Sequence, residues 1–132
     1  MKANLLKKSK QNFKSAEIAQ KEKFYDVAIS RYYYSIYQKI IYILDMRGID
    51  STPKNGANSH NETIEKFNET VFKELSFDES KRLQILKVKQ ARVKADYDKE
   101  LYTKEDFNVI LTHINNIDKI LDSLYKKGEP NE

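Results

Sequence analysis

Between Tyr25 and Leu44 the chain is apolar on most sides of a helix. At about 100° per residue, Tyr33, Ile36, Tyr37, Ile40, Ile41 and Leu44 share one face. Val27, Ala28, Tyr34, Ser35 and Tyr42 lie partly on another. A helix apolar on most sides is buried on most sides. The pattern therefore predicts a central helix from about Tyr25 to Arg47. Gly48 is a natural C-terminal stop, and Arg47 suits the negative helix end. Most of the tyrosines in this stretch are expected in the core, with hydroxyls reaching polar partners at its edges.

The flanking text is helical too. Leu5, Leu6, Ser9, Phe13, Ala16 and Ala19 or Gln20 form a stripe that predicts a helix over Ala3 to Lys23, with lysines outside. Residues 49–60 form the one long loop, and "TPKNGANSH" carries turn chemistry at nearly every position. Asn58 or Ser59 is placed to cap the next helix, and Ser59 with Glu62 makes a capping box. That helix carries Ile64, Phe67, Val71 and Leu75. After the break "SFDES", where Ser76 or Asp78 can cap, a fourth helix bears Leu83, Leu86, Val88, Ala91, Ala95 and Tyr97. Thr103 with Asp106 opens a fifth, striped by Phe107, Ile110, Leu111, Ile114, Ile117, Leu121 and Leu124. No alternating strand pattern and no internal repeat occur. The expectation is an all-α, up-and-down bundle of about five helices. It forms a single domain over residues 1–127, with a flexible tail at 128–132.

Composition narrows the function classes. There are 132 residues and no cysteine, so disulfides and zinc–cysteine sites are excluded. No run is long enough to span a bilayer, and "MKANLLKKSKQNFK" lacks the apolar core of a secretion signal. A cytoplasmic location without membrane attachment is expected. A net charge of +4 fits either an ordinary solvated surface or an anionic partner. Lys7, Lys10 and Lys14 fall near one face of the first helix, which would suit general nucleic-acid binding of steep salt dependence. Gly-rich phosphate loops, metal-binding histidine pairs and a Gly-x-Ser-x-Gly elbow are lacking, so no cofactor or metal is expected.

Arg31 interrupts the apolar helix. It shares a polar strip with Tyr34, Ser35 and Gln38. Such a strip needs partners. One reading is a buried ion pair with Asp96 or Asp26. The other is an anion-binding or catalytic groove.

Three segments carry a resemblance. "YDVAISRYYYSIYQKIIYILDMRGI" resembles the first signature of HEPN-domain proteins, small helical proteins of bacteria and archaea. "NSHNETIEKF" is similar to a loop-to-helix start in one branch of that family, and "ARVKADYD" to its R-x-x-A-D-Y segment. Order and spacing agree over about residues 5 to 125.

The resemblance implies a four- or five-helix bundle, usually a homodimer. It also implies pairing with a nucleotidyltransferase-like protein in toxin–antitoxin or defence settings. Many members are metal-independent RNases, with an arginine followed four to six residues later by a histidine. The guanidinium stabilises the phosphorane charge and the imidazole moves a proton. Here Arg92 is followed by Val-Lys-Ala-Asp and then Tyr97, where a histidine would stand. Tyrosine is a poor base at neutral pH. Either His60 approaches Arg92 in space and supplies the imidazole, or cleavage is absent and the polar cluster binds or braces the bundle.

The candidate catalytic residues are thus Arg92 and His60. Arg31, Tyr34, Asp96 and Tyr97 are candidates for a shared polar groove, Tyr97 also as a target for nucleotide transfer. The alternatives are local: a capping or exposed role for His60, surface ion pairs for Arg92 and Asp96. His113, the other histidine, reads as a core-edge or surface residue.

Overall fold

The computed structural model describes residues 2–52, 59–71, 74–76, 78–79, 83–98 and 100–128. Five long helices account for most of them: α1 (Lys2–Lys21), α2 (Tyr25–Met46), α3 (Ser59–Val71), α4 (Ile85–Tyr97) and α5 (Lys104–Gly128). No strand occurs among the described residues, and the chain is an all-α bundle. No helix there is long and apolar enough to cross a membrane. The helix α5 runs one residue into the segment expected as tail; the rest of that segment lies outside the described residues.

The predicted central helix is central. α2 packs against each of the other four. Ile29, Tyr33, Ile36, Ile40, Ile43 and Leu44 are fully buried or nearly so. They meet Ile64, Phe67 and Val71 of α3, Val88 of α4, and Phe107, Ile114, Ile117, Leu121 and Leu124 of α5 in one core cluster. Local chemistry sets the ends. Ile49 N–H donates to the Leu44 carbonyl at 2.9 Å, and Gly48 N–H to that of Asp45 at 3.1 Å. This is a Schellman closure with Gly48 at φ +70°, as its glycine leads one to expect. The α1–α2 turn closes identically through Phe24 and Lys23, but there a lysine holds the left-handed position, at φ 63°. Thr103 Oγ accepts from Asp106 N–H at 3.1 Å and caps α5.

The α1–α2 interface answers the question of the polar strip. Ser9 Oγ donates to the Ser35 carbonyl at 2.7 Å. Asn12 Nδ2 donates to Gln38 Oε1 at 2.9 Å, and Tyr32 Oη to Gln20 Oε1 at 2.7 Å. Arg31 is exposed, and its guanidinium reaches Asn12 Oδ1 at 3.3 Å. The expected buried pairing of Arg31 with Asp26 or Asp96 is therefore corrected. Asp26 instead accepts from Tyr102 N–H at 2.8 Å, and Asp96 pairs with Arg92. Arg31, Ser35 and Gln38 lie against α1, where Ser9 and Asn12 satisfy them, whereas Tyr34 turns away from that seam.

One turn on from Ser35, Lys39 is 6% exposed. Its ammonium donates to Asp118 and Asp122 of α5, each at 2.6 Å. Burial works against its charge, but the two carboxylates hold its pKa above the usual lysine range.

The fourth helix departs from expectation. Ser76 and Glu79 form a reciprocal capping box, at 3.1 and 3.2 Å, but it closes a separate turn. α4 starts only at Ile85, with Gln84 before it and no side-chain cap. Leu86 and Tyr97, expected on the core stripe, are 47% and 78% exposed. Ile85 takes the buried place. Leu86, Val93 and Tyr97 stand at i, i+7 and i+11 and form an outward apolar stripe.

Candidate functional site

The core tyrosines of α2 carry the site. Tyr33 is fully buried, yet its hydroxyl lies 2.8 Å from Nδ1 of His60, in the first turn of α3. The imidazole stacks on Tyr37, with centroids 4.1 Å apart and planes 17° off parallel. Tyr34 meets the same ring edge-on at 6.2 Å. Tyr37 in turn donates to Thr63 Oγ1 at 3.3 Å. The histidine is thus held on two sides by rings from consecutive turns of α2.

α4 brings the cations. The Arg92 guanidinium lies 5.1 Å from the Tyr33 ring centroid and 5.6 Å from that of Tyr34. Such placements over ring faces are favourable for arginine. Arg92 also donates to Asp96 Oδ2, one turn on, at 3.3 Å. Its Nε is buried with no hydrogen-bond partner among the described residues. One turn earlier, Lys89 Nζ donates to Asn61 Oδ1 at 2.6 Å, beside His60 in the chain. Lys89 has no carboxylate partner among the described residues.

The electrostatics follow from this crowding. Burial lowers the His60 pKa, and the charges of Arg92 and Lys89 lower it further. The imidazole is therefore neutral at pH 7. Burial raises the Tyr33 pKa well beyond the ordinary phenol range, although Arg92 pulls against it, so Tyr33 stays protonated. Burial also opposes the Arg92 charge. The hydrogen bond to Asp96 and the phenols of Tyr34 and Tyr33 outweigh it, and the guanidinium stays charged.

The structure thus brings Arg92, His60, Tyr34 and Asp96 into one cluster with Tyr33, Tyr37, Lys89 and Asn61. It does not bring Arg31 there; that side chain belongs to the α1 seam. Tyr97 also lies apart, exposed at the end of α4. The physical reason is helix geometry: five positions on from Arg92 point a side chain well away from it, whereas four positions on, at Asp96, do not. The expected convergence of Arg31 and Tyr97 on this groove is corrected accordingly. His113 is half-buried on α5, and Lys7, Lys10 and Lys14 are exposed on α1.

Sequence reading passed over Lys89, Asn61 and the specific role of Tyr33. A signal existed for Lys89, since its i, i+3 spacing puts it on the Arg92 face. Among the described residues no group of histidine and carboxylate side chains is arranged to hold a metal ion.

What the cluster can do is bounded by its groups. Two cations and a neutral imidazole, with a single partly exposed carboxylate, suit a phosphate. No curated protein matches the chain, and no solved structure does. A family model described as HEPN domain matches residues 3–124.

Proposed function

The chain belongs to the HEPN domain family, in general terms a nuclease-like or RNA-related module, and from that premise we propose that the Arg92–His60 cluster engages the RNA backbone. We read it as a metal-independent endoribonuclease of a toxin–antitoxin or defence pair, working in the cytoplasm. One observation carries this reading: a guanidinium and a neutral imidazole from different helices meet on the same tyrosine. The arginine would hold the phosphate and stabilise charge developing on it. The imidazole would take the part of the histidine that the arginine's own helix lacks.

The test is RNA digestion in EDTA by purified protein, beside Arg92→Ala and His60→Ala proteins of verified fold. Cleavage by the parent and loss in both variants is expected. Equal cleavage by all three would place the activity elsewhere.

The reading includes a homodimer, for which the Leu86, Val93 and Tyr97 stripe gives support, because a row of exposed apolar side chains favours burial against a second surface. Val93→Glu should then sediment as a monomer. A variant that sediments like the parent would remove α4 from the interface.

A second reading is favoured by the same stripe and by the exposure of Tyr97: a non-catalytic module that binds a protein such as a nucleotidyltransferase, with Tyr97 accepting a nucleotide. It predicts a nucleotide-mass adduct on Tyr97 after co-expression with such an enzyme. Unmodified protein from that co-expression would discard it.

A further inference from the structure

We propose that Tyr33 is a positioning residue that fixes His60 as a hydrogen-bond donor: its hydroxyl occupies Nδ1, so the imidazole presents Nε2–H to a phosphate oxygen. The phosphate half rests on the RNA reading above. The tautomer does not.

A hydroxyl has one proton, and Tyr33 is fully buried. A buried donor without an acceptor bears the full penalty of its lost hydration. Among the described residues, the acceptor within reach is His60 Nδ1, at 2.8 Å. The reverse arrangement, with Nδ1–H donating to the phenol oxygen, would strand the phenol proton in the core. Ionisation offers no escape, since burial raises the phenol pKa. Nor does a second proton on the ring, since burial, Arg92 and Lys89 all disfavour it. The neutral imidazole with Nδ1 accepting is the arrangement that satisfies both groups, and its proton then sits on Nε2.

The rings fix where that proton points. Stacking on Tyr37 and the edge of Tyr34 set the plane of the imidazole. The bond to Tyr33 sets its rotation within the plane. The groups against His60 are the three phenols of α2 and the Arg92 and Lys89 charges of α4. A carboxylate at Nδ1 would do the opposite, holding Nδ1–H and freeing an Nε2 lone pair for use as a base. With a phenol there, resting His60 cannot take the 2′-hydroxyl proton at Nε2. It adds a third donor beside Arg92 and Lys89, aimed at an anionic oxygen.

The experiment reads the tautomer directly, without RNA. Protein labelled with ¹⁵N-histidine is examined by NMR at neutral pH, with His113 as internal comparison. Expected for His60 is a protonated Nε2 and a bare Nδ1. Tyr33→Phe should move both ring nitrogens toward the averaged values of a free imidazole and raise the titration midpoint. A parent His60 protonated at Nδ1, or a ring unmoved by Tyr33→Phe, overturns the proposal. Should that variant not fold, the parent spectrum alone decides.

A second arm measures affinity for a short single-stranded RNA. His60→Gln keeps an amide donor near the Nε2 position and should bind within about threefold of the parent, whereas His60→Ala should lose roughly tenfold. Glutamine as weak as alanine would overturn the donor role. A parent that binds no RNA would overturn the phosphate half together with the reading it rests on, and leave the tautomer to the spectrum.

Discussion

Arg92→Ala is expected to weaken RNA binding by about 10- to 100-fold, the scale of hydrogen bonds to a charged group. The loss should come with a changed salt response. A phosphate contact to a single strand contributes about 0.7 to the slope of log affinity against log salt, and the variant should lose that much. A purely structural role would destabilise the fold and leave the slope alone. Arg92→Lys separates charge from shape. Lysine keeps the charge but not the planar group lying over Tyr33 and Tyr34, so it should restore the slope and only part of the affinity. If Arg92→Ala binds RNA like the parent with an unchanged slope, the cluster is not the RNA site.

The second large effect concerns the fold. Lys39→Met should destabilise the protein by about 3 kcal/mol, the low end for removing one partner of a buried pair. The low end applies because Asp118 and Asp122 keep 20% and 34% of their side-chain surface in contact with solvent. For a domain of this size the thermal midpoint should fall by roughly 10 °C. The loss comes from two stranded carboxylates, not from missing packing. Adding Asp118→Asn and Asp122→Asn to Lys39→Met should therefore recover much of it. A single variant that melts with the parent, or a triple variant no better than the single, would refute this account.

How far the chain could be read in advance depended on whether the deciding force was local. The end of α2 was legible because Gly48 takes the left-handed position that closes it without the steric cost a side chain brings. The start of α5 was legible because Thr103 caps three residues ahead. α1, α2 and α5 carry clear stripes, and their buried faces follow from them. α4 does not: its apolar residues are spread around the helix, so Leu86 and Tyr97 looked as fit for the core as Ile85. For Arg31, spacing showed that a polar strip needed partners. It could not show that α1 would cover that strip with Asn12 before any carboxylate reached it. The approach of His60 to the Arg92 neighbourhood is a matter of tertiary packing between α3 and α4 across Tyr33. Residue types suggested the pair; no spacing rule places them. Lys89 and Asn61 form no motif, and only the packed helices bring them together.

The seam between α1 and α2 has a consequence for assembly. Ser9, Asn12 and Gln20 each meet a specific mate on α2, namely Ser35, Gln38 and Tyr32. Slide α1 by one turn and all three matches fail at once, each leaving a polar atom facing the wrong neighbour. A greasy seam would tolerate the slip, since one methyl serves another almost as well. The hairpin is thus keyed like a lock with three wards. It discriminates its own first helix from any other amphipathic helix of equal hydrophobicity, including one misaligned from a second copy of the same chain.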